Sequence, residues 1–286
     1  RISNAIGSIQ QNGSIKRRCA SLLNPGKVGI NMLKKTVLAA SVAMLTAVPA
    51  VHAMDYQGEF GVVLGYLDSE DPGLGTDVLY GADFRYHFDM VPTANVPLAE
   101  ASFLNRVSSF GVSYVSLDDA SLSILDADAQ IYHNDLFFSA QIQRLSNGSS
   151  LTDYGATIGF FPAESLLLFV GYGRGDGGVD SDFDILSVGA KYVTALEGET
   201  ALNLSAFYET WDDAVDSSSL ALAADYYLNH RFSLGARYFH LDDDDVSDSG
   251  FGLGTRYFFT PLVSGGLEYE KFDDFEAISA ELKVRF

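Results

Sequence analysis

Residues 241–250 read LDDDDVSDSG, four contiguous aspartates with His240 before them and serines close behind. Such residues can ligate a cation, run hydrolysis through a Ser/His or Asp/His pair, or act together as a field of charge. A calcium loop of the EF-hand type needs spaced Asp or Asn ligands, a Gly at its sixth position and a Glu at its twelfth. Here the acids are contiguous, Gly250 comes late and no Glu follows. The spacing leaves only diffuse calcium or magnesium binding at acidic loops, and no cofactor is expected. For hydrolysis, the histidines after residue 53 are His87, His133, His230 and His240, and only His240 stands beside an acid and a hydroxyl, Asp242 and Ser247. In a strand it continues the apolar face of Phe232, Leu234, Ala236 and Tyr238, which points away from any cleft. No catalytic residue, and no enzyme, is expected. There is no P-loop or dinucleotide fingerprint, and a formal net charge of −20 repels nucleic acid.

What could position these residues is read from the rest of the chain, whose two ends differ sharply. The first 53 of 286 residues contain no Asp or Glu and hold seven of the 18 Lys and Arg, so residues 54–286 carry eleven basic against all 38 acidic side chains. Within the leader, MLKKTVLAASVAMLTAVPAVHA (residues 32–53) has Lys34 and Lys35, an apolar run from Val37 to Val48, Pro49 and the small-x-small end Val51-His52-Ala53. This is the layout of a secretory signal peptide, with cleavage expected after Ala53. Its apolar run is shorter than the ~20 residues of a membrane-spanning helix. Residues 1–31, basic and without a sustained apolar period, read as an upstream extension outside the fold. The only cysteine, Cys19, lies there, so residues 54–286 have no disulfide framework and no thiol chemistry.

From Met54 onward the recurring period is two. In AISAELKVRF (residues 277–286), Ile278, Ala280, Leu282, Val284 and Phe286 form one face and Ser279, Glu281, Lys283 and Arg285 the other. Runs of this kind fall near 56–67, 78–90, 106–117, 122–133, 136–146, 151–161, 166–176, 184–195, 201–212, 217–228, 231–243, 249–260, 262–273 and 275–286. Each has the ~9–11 residues that let a tilted strand cross a bilayer. The count is fourteen, or twelve if the weakly patterned 122–133 region is not a strand. A faint repeat, YGATIGFF (154–161), VGAKYVTA (188–195), LAADYYLN (222–229) and LGTRYFFT (253–260), indicates one hairpin reused along the chain. Short, acid-poor connections such as PAES (162–165) and NHR (229–231) alternate with acidic ones such as GDGGVDSDFD (175–184) and DDDDVSDS (242–249).

A soluble β-sandwich also alternates, and three features separate it from a membrane barrel. The face opposite the apolar one keeps Asp83, Arg85, Gln141, Gln143, Lys191, Glu209, Asp225, Arg237, Arg256, Glu268, Glu270, Glu281, Lys283 and Arg285 near mid-strand, more charge than a dry core tolerates. Tyr and Phe collect at strand ends on the apolar face, for example Tyr66, Tyr86, Tyr172, Tyr208 and Tyr257, as in the aromatic girdles of outer-membrane barrels. The last strand ends on its apolar face at Phe286. The expected fold is therefore all-β: a transmembrane antiparallel up-and-down barrel over residues 54–286. Its short turns and both ends of the barrel segment face the periplasm, and its acidic loops face outward.

Val284-Arg285-Phe286 resembles the end of bacterial outer-membrane proteins generally, which commonly close on an aromatic residue that the barrel-assembly machinery recognises. The resemblance implies that Phe286 is an assembly signal and that this machinery is a partner. The connection NVPLAEASFLNR (residues 95–106) resembles a segment of the porins of marine and related gammaproteobacteria. That resemblance implies an outer-membrane barrel and a porin label without a defined solute. The segment itself reads as a periplasmic turn with a short helix whose Leu98, Phe103 and Leu104 rest on the barrel mouth.

Fourteen strands would leave an open but modest lumen. Its expected lining is Asp83, Arg85, Lys191, Glu209, Asp225, Arg237, Arg256, Glu268, Glu270, Glu281 and Lys283. An acidic ring at the outer mouth would comprise Asp71, Asp119, Asp182, Asp213, Asp243, Asp244 and Asp274, acting within a Debye length of about 8–10 Å. The expectation is a weakly cation-preferring diffusion channel for small polar solutes, monomeric because no connection is long enough for an inward-folded constriction. Lipid and lipopolysaccharide are its surroundings. The alternatives are a non-conducting structural, adhesive or receptor barrel and, from another class, an outer-membrane hydrolase.

Overall fold

The computed structural model describes residues 54–69, 75–118, 122–147, 149–176, 182–212, 217–243, 246–273 and 275–286. The expected signal peptide and the extension before it lie outside these residues. Fourteen strands follow one another around a closed barrel: β1 (Tyr56–Ser69), β2 (Thr76–Val91), β3 (Ser109–Leu117), β4 (Ser123–His133), β5 (Leu136–Asn147), β6 (Ser149–Ala163), β7 (Leu166–Asp176), β8 (Asp182–Ala195), β9 (Ala201–Asp212), β10 (Ser217–Asn229), β11 (Phe232–Asp243), β12 (Val246–Thr260), β13 (Val263–Lys271) and β14 (Phe275–Arg285). The weakly patterned region 122–133 is a strand, and the count is fourteen, not twelve.

Every neighbouring pair is antiparallel. The seam closes where β14 meets β1 in continuous register from Glu59↔Arg285 to Ser69↔Phe275. Closure leaves no strand edge unpaired, the condition for a sheet in lipid. Where the register shifts, at Tyr56/Gly58, Phe160/Ala163, Tyr227/Asn229 and Phe258/Thr260, it does so at the end of the barrel that carries the short turns. Bulges concentrate at barrel rims because they end the pairing there.

The two-residue period sorts side chains inside out. On β14, Ile278 points outward and is 56% exposed, while its neighbour Ser279 points inward and is 8% exposed. Tyr66, Tyr86, Tyr114, Tyr172, Tyr208, Tyr238 and Tyr257 are likewise exposed on the outer surface, forming with Leu, Ile and Val the apolar exterior of a barrel in a bilayer.

The interior departs from an all-polar lining. Leu79, Leu117, Leu122, Ile124 and Leu145 form a buried cluster, with Val63, Val115 and Leu151 packed on it. It coats the β1–β6 wall in the half of the barrel away from the short turns. The strands here are apolar on both faces, so alternation alone understates what they place inside.

The acidic tip is also shorter than the sequence pattern suggests. β11 runs to Asp243 and β12 begins at Val246, with Asp243 opposite Val246. Ser247, Asp248 and Ser249 therefore belong to a strand, and Asp248 points inward and is buried.

Candidate functional site

Inward positions on the strands hold the charged side chains, and glycines decide how these meet. Arg85 on β2 reaches across β3 to Asp128 on β4, donating Nη2 to Oδ2 at 2.8 Å and Nη1 to Ser109 Oγ at 2.7 Å. The β3 residue beneath this pair is Gly111, paired with both Arg85 and Asp128 in the ladders. A Cβ there would lie 2.7 Å from the Arg85 guanidinium and 2.9 Å from the Asp128 carboxylate. The same skip recurs around the barrel. Lys283 on β14 meets Asp83 on β2 at 3.6 Å over Gly61 of β1. Arg237 on β11 meets Glu268 on β13 at 3.0 Å beside Gly254 of β12. Arg256 on β12 meets Glu281 on β14 at 2.9 Å over Gly266 of β13. Missing side chains at these glycines let the longer ones on either side meet, so the pairs span next-nearest strands.

All the residues read as lumen candidates sit on inward positions. Arg85, Arg237, Arg256 and Lys283 are in the pairs above, and Lys191 pairs with Glu100 of the connection between β2 and β3. Glu209 accepts from Ser219 Oγ at 3.2 Å, and Asp225 accepts from Asn203 Nδ2 at 3.0 Å. Glu270 is 2% exposed. The sequence reading missed further inward acids: Glu59 on β1, Asp126 and Asp128 on β4, and Asp153 on β6. The signal for the β4 pair is the alternation S-I-L-D-A-D-A-Q (residues 123–130), obscured because that strand was the weakest in pattern. Of the mouth acids, Asp182 accepts an ion pair from Arg174 at 2.7 Å on the outer surface. Asp71, Asp119, Asp213, Asp244, Asp274 and the side chain of Asp243 lie outside the described residues.

The end carrying the short turns is occupied by the connection between β2 and β3, residues 92–108. It contains a 3-10 turn, Leu98–Glu100, followed by a one-turn helix, α1 (Ala101–Leu104). It does more than rest on the rim. Glu100, 5% exposed, takes Lys191 Nζ of β8 at 2.7 Å and the Tyr227 hydroxyl of β10 at 2.7 Å. Burial pushes the Glu100 carboxyl up, but the Lys191 ammonium and hydrogen bonds from Lys191 and Tyr227 outweigh it and hold the group below the ordinary carboxylate range. Phe103 packs into a cluster with Phe137, Phe161, Leu167 and Val193 of β5, β6, β7 and β8, with Lys191 Nζ 4.7 Å from its ring centre. On the other side, Leu98 donates its N–H to His230 O at 2.9 Å and accepts from Arg285 Nη1 of β14 at 2.9 Å.

Arg285 is itself held. It donates Nε to Glu59 at 3.2 Å and lies between the rings of Tyr56 and Phe258, 4.3 and 4.7 Å from their centres. Glu59 also meets His87 Nε2 at 3.0 Å. At the far end of the connection Arg106 adopts φ 51°, a left-handed conformation uncommon for a long side chain. Its guanidinium fixes it there, donating to Asn134 O at 3.0 Å, Asp135 Oδ1 at 2.9 Å and Glu164 O at 3.0 Å, and lying 4.2 Å from the Phe161 ring centre. The connection thus touches β1, β5 through β8, β10 and β14, bridging the mouth from wall to wall.

His240 meets Ser249, not Ser247: its Nδ1 is 3.0 Å from Ser249 Oγ, on the outer surface and away from the lumen. At the seam, Phe286 exchanges backbone hydrogen bonds with Gly58, N–H to O at 2.9 Å and O from N–H at 2.8 Å. Its ring covers the position that a Gly58 side chain would take. No group of His, Cys, Asp or Glu among the described residues is arranged to hold a metal ion.

Residues 169–286, from within β7 to β14, match the family described as "Putative general bacterial porin". No curated protein matches the sequence. Among solved structures, the chain is similar to the outer membrane protein Omp33 of Acinetobacter baumannii, at 23% identity over 82% of this chain and 100% of that one, with a TM-score of 0.67. It is also similar to a bacterial polysaccharide outer membrane secretin, at 10% identity over 82% and 99%, with a TM-score of 0.51. The closed fourteen-strand barrel with its apolar exterior thus has the fold of an outer-membrane β-barrel, and its residues 169–286 are similar to the putative general bacterial porins.

Proposed function

We propose that this barrel is a monomeric, weakly cation-preferring diffusion channel for small polar solutes, closed at its periplasmic end in the described conformation by the connection between β2 and β3. The observation that carries the charge preference is the state of the inward cations. Arg85, Arg237, Arg256, Lys283 and Arg285 each face a carboxylate of the wall, and Lys191 faces Glu100. Further inward carboxylates, Asp126, Asp153, Glu209, Asp225 and Glu270, then leave the interior with net negative potential, and the outer-mouth acids extend it. Solutes that cross need no catalysis, so no reacting group is assigned. Calcium or magnesium would associate only diffusely with the outer acids, and the barrel-assembly machinery would read the strand that ends at Phe286.

The test is a planar bilayer under a KCl gradient. A reversal potential of the sign set by potassium supports the reading, and chloride preference sinks it. The bridged mouth gives weight to a second reading, a barrel that does not conduct at all. Single-channel recording separates the two, because a non-conducting barrel would stay silent even when Glu100 and Arg106 are both replaced.

A further inference from the structure

One hydrogen-bonded row of inward side chains carries phenyl rings on alternate strands. Phe169 of β7 is in register with Gly189 of β8, and Gly189 with Phe207 of β9. Phe207 is followed by Ala221 of β10, and Ala221 by Phe239 of β11, which faces Gly250 of β12. Phe272, next after Lys271 at the end of β13, and Phe275 at the start of β14 complete the row. The small residues seat the large ones. A Cβ on Gly189 would collide with the Phe169 ring, and one on Gly250 would lie 2.5 Å from that of Phe272.

The rings meet over these gaps. Phe169 stacks on Phe207 with centres 6.2 Å apart, Phe239 on Phe272 at 5.5 Å and Phe272 on Phe275 at 4.8 Å. Phe169, Phe207, Phe239 and Phe275 are half-buried, and on inward positions their exposed part faces the lumen. Strands tilted by about 40° carry such a row along a spiral, which climbs roughly 20 Å over the steps from β7 to β13. The chain agrees. Phe169 lies close after the short turn that opens β7, whereas Phe272 lies in the outer hairpin, its N–H bonded to Phe275 O at 2.9 Å. At the lower end Phe169 packs on the cluster around Phe103 of the connection.

The flanks of the row are acidic. Glu209 and Asp248 point inward on its outer side, Asp225 and Glu270 on its periplasmic side. The inward cations two positions from the row, Lys191 and Arg237, face Glu100 at 2.7 Å and Glu268 at 3.0 Å. A ring face is itself the negative side of the aromatic quadrupole, so apolar contact and charge along this wall select the same ligand.

We infer that Phe169, Phe207, Phe239 and Phe272 form a binding row for organic cations with an apolar body, aryl ammonium and quaternary ammonium ions. Cation–π contact holds them, with the flanking carboxylates as counter-charge. An anion is repelled by the acids, and a neutral ring lacks the charge term. The inference deepens the channel reading by naming a solute class; passage of that solute rests on the channel reading, and binding does not.

The test is isothermal titration calorimetry of the detergent-folded barrel with phenyltrimethylammonium chloride, corrected by titration into micelles alone. Benzenesulfonate and uncharged benzyl alcohol are the comparators. F207L/F239L keeps apolar volume and removes two rings of the row, and F251L removes a ring exposed on the exterior. Each variant is first shown to be folded by heat-modifiable gel mobility. Wild type and F251L should bind the cation alike, about tenfold tighter than either comparator, and F207L/F239L should bind it about tenfold more weakly. Should the double variant not fold, F239L alone should lose about threefold. Undiminished binding in the row variants, equal loss in F251L, or a comparator bound as tightly as the cation would overturn the row. Single-channel recording keeps the two readings apart. A potassium current without binding of phenyltrimethylammonium sinks the row and spares the channel, whereas binding by a barrel that passes no current sinks the channel and spares the row.

Discussion

Arg85 and Asp128 are two strands apart, yet they form a direct ion pair because Gly111 between them has no side chain. The pattern repeats at Asp83–Lys283, Arg237–Glu268 and Arg256–Glu281, so inward glycines act as saddles for ion pairs. Each saddle turns two long side chains along the wall and away from the axis. The charges are then partly neutralised where they lie on the wall.

Gly111→Val should consequently break the Arg85–Asp128 pair. Its Cβ would come within 2.7 Å of the guanidinium and 2.9 Å of the carboxylate, and the displaced Arg85 would also lose Ser109. We expect a destabilisation of about 1–3 kcal/mol, the usual cost of overpacking, read as a lower temperature for loss of the heat-modifiable folded band. Gly252→Ala, whose nearest neighbour would be the Glu270 side chain at 3.4 Å, should be close to neutral and serves as the comparison. An unchanged transition for Gly111→Val would refute the saddle.

Glu100→Gln keeps the shape of the side chain but removes the charge that faces Lys191 at 2.7 Å. The Lys191 ammonium is then left without its carboxylate at the mouth that the connection spans. Weakening a charged, buried hydrogen bond costs about 1.5–3 kcal/mol, enough to shift the connection toward an undocked state by tenfold or more. Single-channel recordings should show longer open times or a larger conductance in this variant than in wild type. Identical traces would mean that the connection does not limit flow.

Acid should act at the same place, with a definite sign. The Glu100 carboxyl titrates below its ordinary value when docked, so docking is favoured at all pH values above the free carboxylate range and weakens as pH falls through the docked value. The Glu100-dependent part of the conductance, wild type minus Glu100→Gln, should be flat from neutral pH to about pH 5 and rise only below about pH 4.3, the ordinary glutamate value. An increase already complete at pH 6 would point to another group.

How much of this was legible beforehand depends on range. Two-residue alternation placed Glu281, Lys283 and Arg285 inside and Ile278 outside, because parity within a strand is a local property. The order of strands and connections also put the short helix within residues 95–106 at the end that carries the short turns. It did not reveal that Arg85 meets Asp128, since partners two strands apart depend on the stagger of three strands at once. Glu100 was unreadable as a site for the same reason. Its partners Lys191 and Tyr227 lie about a hundred residues away in sequence, brought near only by closure of the ring. The Leu79–Leu145 cluster was hidden differently: strands apolar on both faces carry no parity signal at all.

The seam provides a test of assembly. Phe286 covers Gly58 on the exterior of the barrel, and its backbone closes the β1–β14 ladder. The ring and the ladder have separable roles if Phe286 is also read by the assembly machinery. Phe286→Ala keeps the backbone bonds but removes the aromatic ring; Gly58→Val keeps the ring but forces it off its site. If recognition of the terminal aromatic governs insertion, Phe286→Ala should sharply lower the yield of heat-modifiable barrel in cells while leaving refolding into detergent nearly intact. Gly58→Val should impair both, because its β-branched side chain collides with the Phe286 ring in the folded wall whatever inserted it. Equal effects of the two substitutions in both assays would reduce Phe286 to a packing residue at the seam.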